Sequence, residues 1–258
     1  HADYVLPATT QLEHWDIHLA YGHTDVLLNR PAIAPVGQAR PNTQIFRDLA
    51  ERMGFDEPCF RDDDEALCRQ AYAKTDVDFD RLLAQGFATL DLPQAPFASG
   101  GFPTPSGRCE FSSARLAAQG LDPVPDHLPN RERSGTNARL PLAMISPPAR
   151  NFLNSSFVNV ASLRAIEEHP LVEMHPDDAA GRGILDGQRV RVFNDRGSHV
   201  CVARVGPRAR RGVVNGLGVW WRKDGLDGTN VNELTSQALT DLGRGPTFYD
   251  CLVQVERA

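Results

Sequence analysis

A polar loop follows the apolar stretch that ends at Ile145 and concentrates hydrogen-bonding side chains. Residues 146–157 read Ser-Pro-Pro-Ala-Arg-Asn-Phe-Leu-Asn-Ser-Ser-Phe, and the two prolines restrict the backbone at the start of the loop. One arginine stands among amides and hydroxyls, which is the set of donors and acceptors that a phosphate-bearing, hydrogen-bond-rich ligand requires. The alternative is a barrel loop whose polar side chains satisfy its own backbone. The residues alone leave both interpretations open.

A second cluster combines glycines, paired tryptophans and asparagines. Residues 215–221 read Asn-Gly-Leu-Gly-Val-Trp-Trp, and residues 230–235 read Asn-Val-Asn-Glu-Leu-Thr. Trp220, beside glycines, can form an aromatic wall for a planar ligand. Asn230 and Asn232 flank one valine, so in an extended chain both would point the same way and could hold the edge of a heterocycle. The alternative is that a tryptophan closes one end of a barrel.

Other catalytic and metal-binding patterns are weak. His14 and His18 have the i, i+4 spacing of a helical metal site, but their segment has loop character and no third ligand is defined. The five cysteines are an odd number without a C-x-x-C pair, which argues against a disulfide framework and against zinc or iron–sulfur ligation. No nucleophile elbow, P-loop or dinucleotide fingerprint occurs, and Ser155 lacks nearby triad partners.

The composition is that of a folded protein, with neither nucleic acid nor a membrane span expected. The 258 residues are 41% hydrophobic, enough for one large domain or two ordinary ones, which excludes a disordered chain. The net charge is −6, and a solvated turn explains the one dense basic run, Arg208, Arg210 and Arg211. No window reaches about 18 consecutive apolar residues, and residues 1–7 do not form a signal peptide. Reduced, mostly buried thiols slightly favour the cytoplasm, although an exported folded enzyme would look the same.

The first part of the chain predicts two strands and three helices separated by long loops. Strands are expected at residues 3–6 and 108–111. One helix is expected to be capped by Asn42 and to end at Gly54, with an apolar face that consists of Ile45, Phe46, Leu49, Ala50 and Met53. A second helix should follow the acidic turn of residues 62–64, and a third should span residues 79–85.

The second part predicts a mainly β domain. Strands are expected at residues 140–145, 188–193, 200–205, 213–214 and 251–255, with a hairpin turn at residues 194–197. Helices are expected at residues 161–168 and from Pro176 onward. About six short strands with inserted helices favour a small closed barrel over a flat sandwich. The stretch before them, residues 120–137 with Pro123, Pro125 and Pro129, is predicted to be a connector.

Several collinear motifs resemble the catalytic subunits of the molybdopterin oxidoreductases of the dimethyl sulfoxide reductase family. Residues 2–13, Ala-Asp-Tyr-Val-Leu-Pro-Ala-Thr-Thr-Gln-Leu-Glu, are similar to the family's A-D-x-V-L-P-x-x-x-x-x-E signature. Residues 103–111 resemble its TPSGK-x-E stretch, and residues 175–187 resemble its HPxDAxxxGIxDG segment. Residues 42–50, 194–197, 220–221 and 230–235 stand in the expected order, so the resemblance covers nearly the whole chain.

The resemblance implies a fold class and a domain organisation. Residues 1–125 would be the C-terminal end of an α/β molybdopterin oxidoreductase domain, and residues 126–137 a linker. Residues 138–258 would form the molybdopterin dinucleotide-binding domain, a mainly β, six-stranded double-psi β-barrel. In such enzymes two pterin guanine dinucleotides hold one molybdenum or tungsten atom, and the protein supplies placement and electrostatics.

The same resemblance suggests cofactor-binding residues. The loop with Ser146, Pro147 and Ala149 matches the family segment that wraps a pterin and its phosphates. Within it, Arg150 would pair with a diphosphate, while the pterin edge would be bound by Asn151, Asn154 and Ser155. Late contact segments would include Trp220, Asn230 and Asn232, with a weaker match at Phe248 and Tyr249. Many relatives have T-G-R and a His-rich loop where this chain has Ser-Pro-Pro and Asn-Phe, which weakens any one-to-one assignment.

The family's metal ligand and iron–sulfur cysteines lie in earlier domains that are not matched here. The chain is therefore expected to be the C-terminal portion of a longer oxidoreductase polypeptide, inactive alone, with the upstream domains of that polypeptide, an electron-transfer protein and a small-molecule substrate as partners. The alternatives are a non-catalytic double-psi barrel that serves as a binding module, and a hydratase of the same family. The predicted α/β portion before the connector favours the enzyme over the binding module, because a stand-alone barrel would not need it.

Overall fold

The computed structural model describes residues 2–124 and 126–258, and the chain divides into two compact units. The first unit ends at Ser113 and the second begins at Ala114. His1 and Pro125, which belong to the opening segment and to the predicted connector, lie outside the described residues. No helix of the described ranges is long and apolar enough to cross a membrane.

The first unit combines a small antiparallel sheet with three helices. Its strands β1 (Asp16–Leu19), β2 (Asp25–Asn29) and β3 (Phe87–Thr89) pair in the order β1-β2-β3. The helices are α1 (Asn42–Met53), α2 (Asp64–Tyr72) and α3 (Phe79–Gln85). The core between sheet and helices is small and consists of Val26, Leu28, Cys68, Phe79 and Leu82.

Capping side chains define the starts of α2 and α3. The Asp63 carboxylate accepts a hydrogen bond from the Ala66 N–H, and the Asp78 carboxylate accepts from the first N–H groups of α3. Negative side chains at these ends also interact favourably with the helix dipole. The predicted helices at these two places are confirmed, and α3 has the predicted bounds.

Glu13 is buried and ties the opening segment of the first unit to a later loop. Its carboxylate accepts hydrogen bonds from the Thr10 N–H at 2.7 Å, from the Thr10 hydroxyl at 2.8 Å and from the Val36 N–H at 2.6 Å. The Thr10 and Val36 backbone donors hold the pKa of Glu13 below its ordinary value. This glutamate ends the A-D-x-V-L-P motif, and its contacts here are structural.

Four predictions for the first unit are wrong. Residues 3–6 and 108–111 form no strand, because no strand in the described part of the chain pairs with them. Asn42 is the first residue of α1, and Pro41 occupies the capping position without a side-chain hydrogen bond. Of the predicted core face of α1, only Ala50 is buried. The segment around His18 is strand β1 and not a helix, so His14 and His18 do not share a helical turn.

The second unit is a closed six-stranded barrel, which confirms the predicted architecture. Its strands are β4 (Leu142–Ile145), β5 (Leu171–Met174), β6 (Arg189–Phe193), β7 (Ser198–Val205), β8 (Val213–Leu217) and β9 (Leu252–Arg257). They pair in the order β4-β8-β5-β7-β6-β9, and β9 closes the barrel against β4. The helices are α4 (Ala114–Ala117), α5 (Ala161–Glu167) and α6 (Pro176–Ala180).

The barrel core forms where buried and exposed side chains alternate along β6 and β7. The hairpin pairs Val190 with Cys201 and Val192 with His199, so these side chains face the interior. The turn at residues 194–197 is the one predicted from the sequence. Strand β5 has no such alternation, because all four of its residues are buried between β7 and β8, and the sequence analysis missed it.

A charged contact joins the predicted connector to the barrel, and we call it the Glu132 clamp. The Glu132 carboxylate accepts hydrogen bonds from the Arg196 guanidinium at 2.5 and 3.0 Å and from the Leu252 N–H at 2.8 Å. Arg196 Nε donates to the Leu234 carbonyl at 2.7 Å, and the same oxygen accepts from Asn194 Nδ2 and Cys251 Sγ. The clamp thus links residue 132, the β6–β7 turn, the start of β9 and the 230–235 segment.

Candidate functional site

The loop after β4 is held against the segment that follows β8. The Gly218 N–H donates to the Pro147 carbonyl at 2.9 Å, and Trp221 Nε1 donates to the Ser155 carbonyl at 2.7 Å. The ring of Phe152 meets that of Trp220 edge-on at 5.1 Å between centroids. We call residues 146–158 the polar loop and residues 218–221 the tryptophan segment. The two form one continuous piece of surface.

A small apolar cluster supports the polar loop from beneath. Ala149, Phe152, Val158 and Trp220 are buried together, with Leu163 of α5 packed against them. Trp220 is only 3% exposed, so it belongs to this support and does not form an open aromatic wall. Trp221 is half-buried, and the Lys223 ammonium lies 4.8 Å from its ring centroid.

Gly218 permits the close approach between the polar loop and the tryptophan segment. Its φ is +71°, a conformation that glycine adopts without strain. A Cβ at this position would lie 3.0 Å from the Ala149 Cβ and 3.3 Å from the Ala149 nitrogen. The absence of a side chain therefore creates room for residues 147–149.

The structure separates the predicted polar residues into two groups. Asn151 is committed to the fold, because its backbone N–H and its Nδ2 both donate to Glu167 Oε1 at 2.8 Å. In contrast, within residues 2–124 and 126–258, no hydrogen bond or ion pair occupies the side chains of Arg150, Asn154 or Ser155. These side chains are exposed and stand on a backbone that is fixed on both sides.

Asn230 and Asn232 do not form the predicted extended pair. Asn230 caps a short 3₁₀ helix at Val231–Glu233, and its Oδ1 accepts from the Asn232 N–H at 3.0 Å. Its Nδ2 donates to the Trp220 carbonyl at 3.1 Å, which attaches this segment to the tryptophan segment. The extended prediction is wrong because Asn is a strong N-cap residue and the local capping bond forms instead. The Asn232 side chain is exposed.

The remaining predicted site residues lie at the margins. Ser146 and Pro147 are half-buried at the start of the polar loop. Phe248 and Tyr249 stack edge-on at 4.5 Å and are 38% and 49% exposed. In the described part of the chain no hydrogen bond or ring contact joins this pair to the polar loop.

The sequence analysis missed a charged pair beside the site. Arg164 Nη1 of α5 lies 3.4 Å from Asp224 Oδ1 and also donates to the Val158 carbonyl at the end of the polar loop. The second carboxylate oxygen of Asp224 is buried and has no hydrogen-bond partner among the described residues. Such an atom usually marks a place for ordered water or a ligand. Because the pair forms only in the folded chain, no local pattern predicts it.

His199 of β7 is buried next to the turn that leads into Asn230. Its Nδ1 lies 3.4 Å from Thr229 Oγ1, and the residue is 6% exposed. Burial disfavours the imidazolium and lowers the pKa of His199 below its ordinary value, although Asp227 and Glu233 act in the opposite direction.

The second unit is therefore expected to lose stability as the pH falls below about 6.5, because only the unfolded chain takes up this proton readily. The effect approaches about 1.4 kcal/mol per pH unit for one such group. Urea unfolding at pH 7.5 and 5.5, followed by the fluorescence of Trp220 and Trp221, measures it. His199→Gln does not titrate and should lose less stability over this range. An equal loss in both proteins would contradict the role of His199.

Comparison with known proteins identifies the barrel. A family model described as a molydopterin dinucleotide binding domain matches residues 142–252, from β4 to the first residue of β9. A probable oxidoreductase of Bacillus subtilis is 36% identical over 263 residues, which cover 100% of this chain and 38% of that protein. A putative catalytic chain of the dimethyl sulfoxide reductase of Halobacterium salinarum is 31% identical over 268 residues, or 100% of this chain and 32% of that protein.

The chain belongs to the dimethyl sulfoxide reductase family of molybdopterin oxidoreductases. It spans about a third of the length of the family members that it matches. The acetylene hydratase of Pelobacter acetylenicus superposes with a TM-score of 0.82 at 20% identity, over 100% of this chain and 38% of that one. This likeness extends the common fold to both units and confirms the expected α/β part and barrel.

The residues present fit the dinucleotide that this domain of the family binds. Gly218 leaves a cradle that a Cβ would fill, and the polar loop offers an unpaired guanidinium, an amide and a hydroxyl beside it. Cations and hydrogen-bond donors of this kind suit a diphosphate and the polar edge of a heterocycle. In the described ranges, no group of three or more His, Cys, Asp or Glu side chains is placed to hold a metal ion.

Proposed function

We propose that this chain is the cofactor-binding portion of a molybdenum or tungsten oxidoreductase subunit that carries two pterin guanine dinucleotides. The observation that supports the proposal is the polar loop, whose side chains remain unpaired on a backbone fixed by the tryptophan segment. The family match covers this loop, and relatives named as oxidoreductases align over the whole chain. When bound, the cofactor supplies the redox chemistry through which an oxygen atom or a hydride equivalent moves to or from the substrate.

The protein's own contribution in this proposal is binding and orientation. Arg150 pairs with the diphosphate, where its planar guanidinium can donate two hydrogen bonds at once. Asn154, Ser155 and Asn232 hydrogen-bond the polar edges of the ligand. Asn151 and Asn230 act one step away, since their side chains hold the backbone of the loop and of the tryptophan segment.

The metal ligand and any iron–sulfur cluster belong, in this proposal, to the part of the subunit that lies outside the 258 residues. The isolated chain is then expected to bind the dinucleotide without turning over substrate. Electrons would come from a separate redox protein or subunit. Turnover by the purified 258-residue chain with an artificial electron donor would contradict this division of labour.

A hydratase and a non-catalytic module remain the competing functions. The likeness to acetylene hydratase at 20% identity concerns the fold and does not favour hydration. The non-catalytic module is disfavoured because the relatives named as oxidoreductases align with the first unit as well as the barrel. A requirement for an electron donor in the full-length enzyme would distinguish reduction from hydration.

Arg150→Ala in the full-length subunit is expected to weaken cofactor binding by about 10- to 100-fold, the usual effect of losing one charge-assisted hydrogen bond. Asn232→Ala should produce a smaller loss in the same direction. The occupancy is measured after gel filtration as the molybdenum or tungsten and the pterin bound per polypeptide. Arg210→Ala is the matched control, because Arg210 is also exposed and lies away from the polar loop. Full occupancy in both site variants would overturn the assignment of these residues.

A further inference from the structure

An apolar groove lies in the first unit, away from the residues proposed to bind the cofactor. Val5, Leu6 and Pro7 line one side, and Ile45 and Leu49 of α1 line the other. The groove has a volume of about 700 Å³. Charged side chains stand around it, and Arg40 forms an ion pair with Asp48 of α1 at 2.6 Å. A groove with apolar walls and a charged rim suits a polypeptide ligand.

Large apolar side chains around the groove are exposed. Tyr4, Val5 and Leu6 are 90%, 78% and 69% exposed. On α1, side chains at positions i, i+3 and i+7 form one open stripe, with exposures of 63% for Phe46, 47% for Leu49 and 58% for Met53. Several large side chains at such exposures exceed the few hundred Å² of contiguous apolar surface that soluble monomers usually show. The amphipathic pattern of α1 therefore has no partner within the described residues of the first unit.

The backbone beside the groove is also unpaired. Residues 3–6 have a strand-like sequence, but no backbone hydrogen bond in the described part of the chain engages them. The segment is anchored just after this stretch, where the Arg40 N–H donates to the Pro7 carbonyl at 3.0 Å and the Thr9 N–H donates to the Arg40 carbonyl at 3.2 Å. An anchored, unpaired segment of this kind can accept a further strand.

We propose that residues 3–6 and the open face of α1 form the docking surface for the remainder of the same polypeptide. The chain spans about a third of the length of the family members that it matches, so the longer subunit supplies the chain needed to cover this surface. That remainder adds a strand along residues 3–6 and packs apolar side chains between them and α1. The inference rests on the part of the proposed function that makes the chain a portion of a larger polypeptide, and it does not depend on the cofactor.

Hydrogen–deuterium exchange tests the docking surface without any substitution. The amides of residues 4–6 should exchange within seconds in the 258-residue chain and at least about tenfold more slowly in the full-length subunit prepared without cofactor. Equal exchange in the two proteins would overturn the proposal. Protection that grows with concentration in the 258-residue chain would assign the surface to a second copy and would also overturn it.

A pair of substitutions tests the side chains. Leu6→Asp places a charge on the docking surface, whereas Leu185→Asp places one at a residue of the second unit that is equally open, 70% against 69%. Both should leave the melting temperature of the 258-residue chain nearly unchanged. In the full-length subunit, only Leu6→Asp should raise the exchange of α1 and expose the chain to proteolysis. Equal behaviour of the two full-length variants would contradict the proposal, and if Leu6→Asp does not fold, the exchange of the wild-type proteins decides.

Cofactor measurements separate this inference from the proposed function. Protection of residues 4–6 together with full cofactor occupancy in the Arg150 and Asn232 variants would leave the docking surface intact and reject the proposed cofactor contacts. Loss of occupancy in those variants without protection of residues 4–6 would do the opposite.

Discussion

Gly218→Val is expected to push the polar loop away from the tryptophan segment and to remove most of the cofactor from the full-length subunit. A β-branched residue at a φ of +71° is strained, and its Cβ would press against the nitrogen and Cβ of Ala149. The combined cost is about 2–4 kcal/mol. Since the Gly218 N–H also holds the Pro147 carbonyl, the displacement would reach the start of the loop. Metal and pterin content per polypeptide gives the occupancy, and urea unfolding gives the stability.

Gly228→Val is the matched control for this experiment. Gly228 also has a positive φ, +77°, but a Cβ there would meet no atom within 4 Å. The control therefore carries the conformational strain without the contact to the polar loop. It should lose some stability and keep its cofactor. Equal occupancy in the two variants would show that the contact between Gly218 and Ala149 does not shape the site.

Glu132→Ala is expected to destabilise the second unit by about 2–3 kcal/mol. The substitution leaves the Arg196 guanidinium and the Leu252 N–H without their acceptor, and unpaired polar groups of this kind are costly. The side chains of Arg196 and Glu132 are 31% and 27% exposed, so the loss should be smaller than for a fully buried pair. Chemical unfolding followed by tryptophan fluorescence measures it. Asp195→Ala, which removes a solvent-exposed partner of Arg139, should cost less than about 1 kcal/mol.

The contribution of the Glu132 clamp should also depend on pH. Burial raises the pKa of Glu132, but the bonds from Arg196 and the Leu252 N–H outweigh burial and hold the pKa below its ordinary value of 4.5. The stabilisation is therefore complete above about pH 4.5 and is lost as the pH falls through the lowered value. This window is more acidic than that of His199, so the two effects can be measured separately. A difference between wild type and Glu132→Ala that does not change with pH would reject the ion pair as its cause.

The sequence predicted the elements whose local pattern agrees with their final environment. The alternation along β6 and β7 predicted both the strands and their turn, and aspartates next to apolar residues predicted α2 and α3. Strand β5 was missed because it is buried on both faces and shows no alternation. The strands β1 and β2 of the first unit were missed because their stability depends on distant partners, in particular β3.

The site was predicted less completely than the fold, for reasons that particular residues make clear. The polar loop was recognised by its composition, but composition does not show that Asn151 is committed to Glu167 while Arg150 is unpaired. The asparagines at 230 and 232 were expected to share a direction, and a local capping bond prevents it. The charged pair of Arg164 and Asp224 depends on the packing of α5, which no spacing in the sequence shows.

The position of β9 in the barrel has a consequence for how the second unit is synthesised. Strands β4 and β6 each pair with β9, so both keep an open edge on the ribosome until residues 252–257 have emerged. The polar loop follows β4 directly, and its support cannot become rigid before that strand is locked. Cofactor insertion must then wait until translation has passed β9, and a chaperone that shields nascent β4 and β6 would act in this interval.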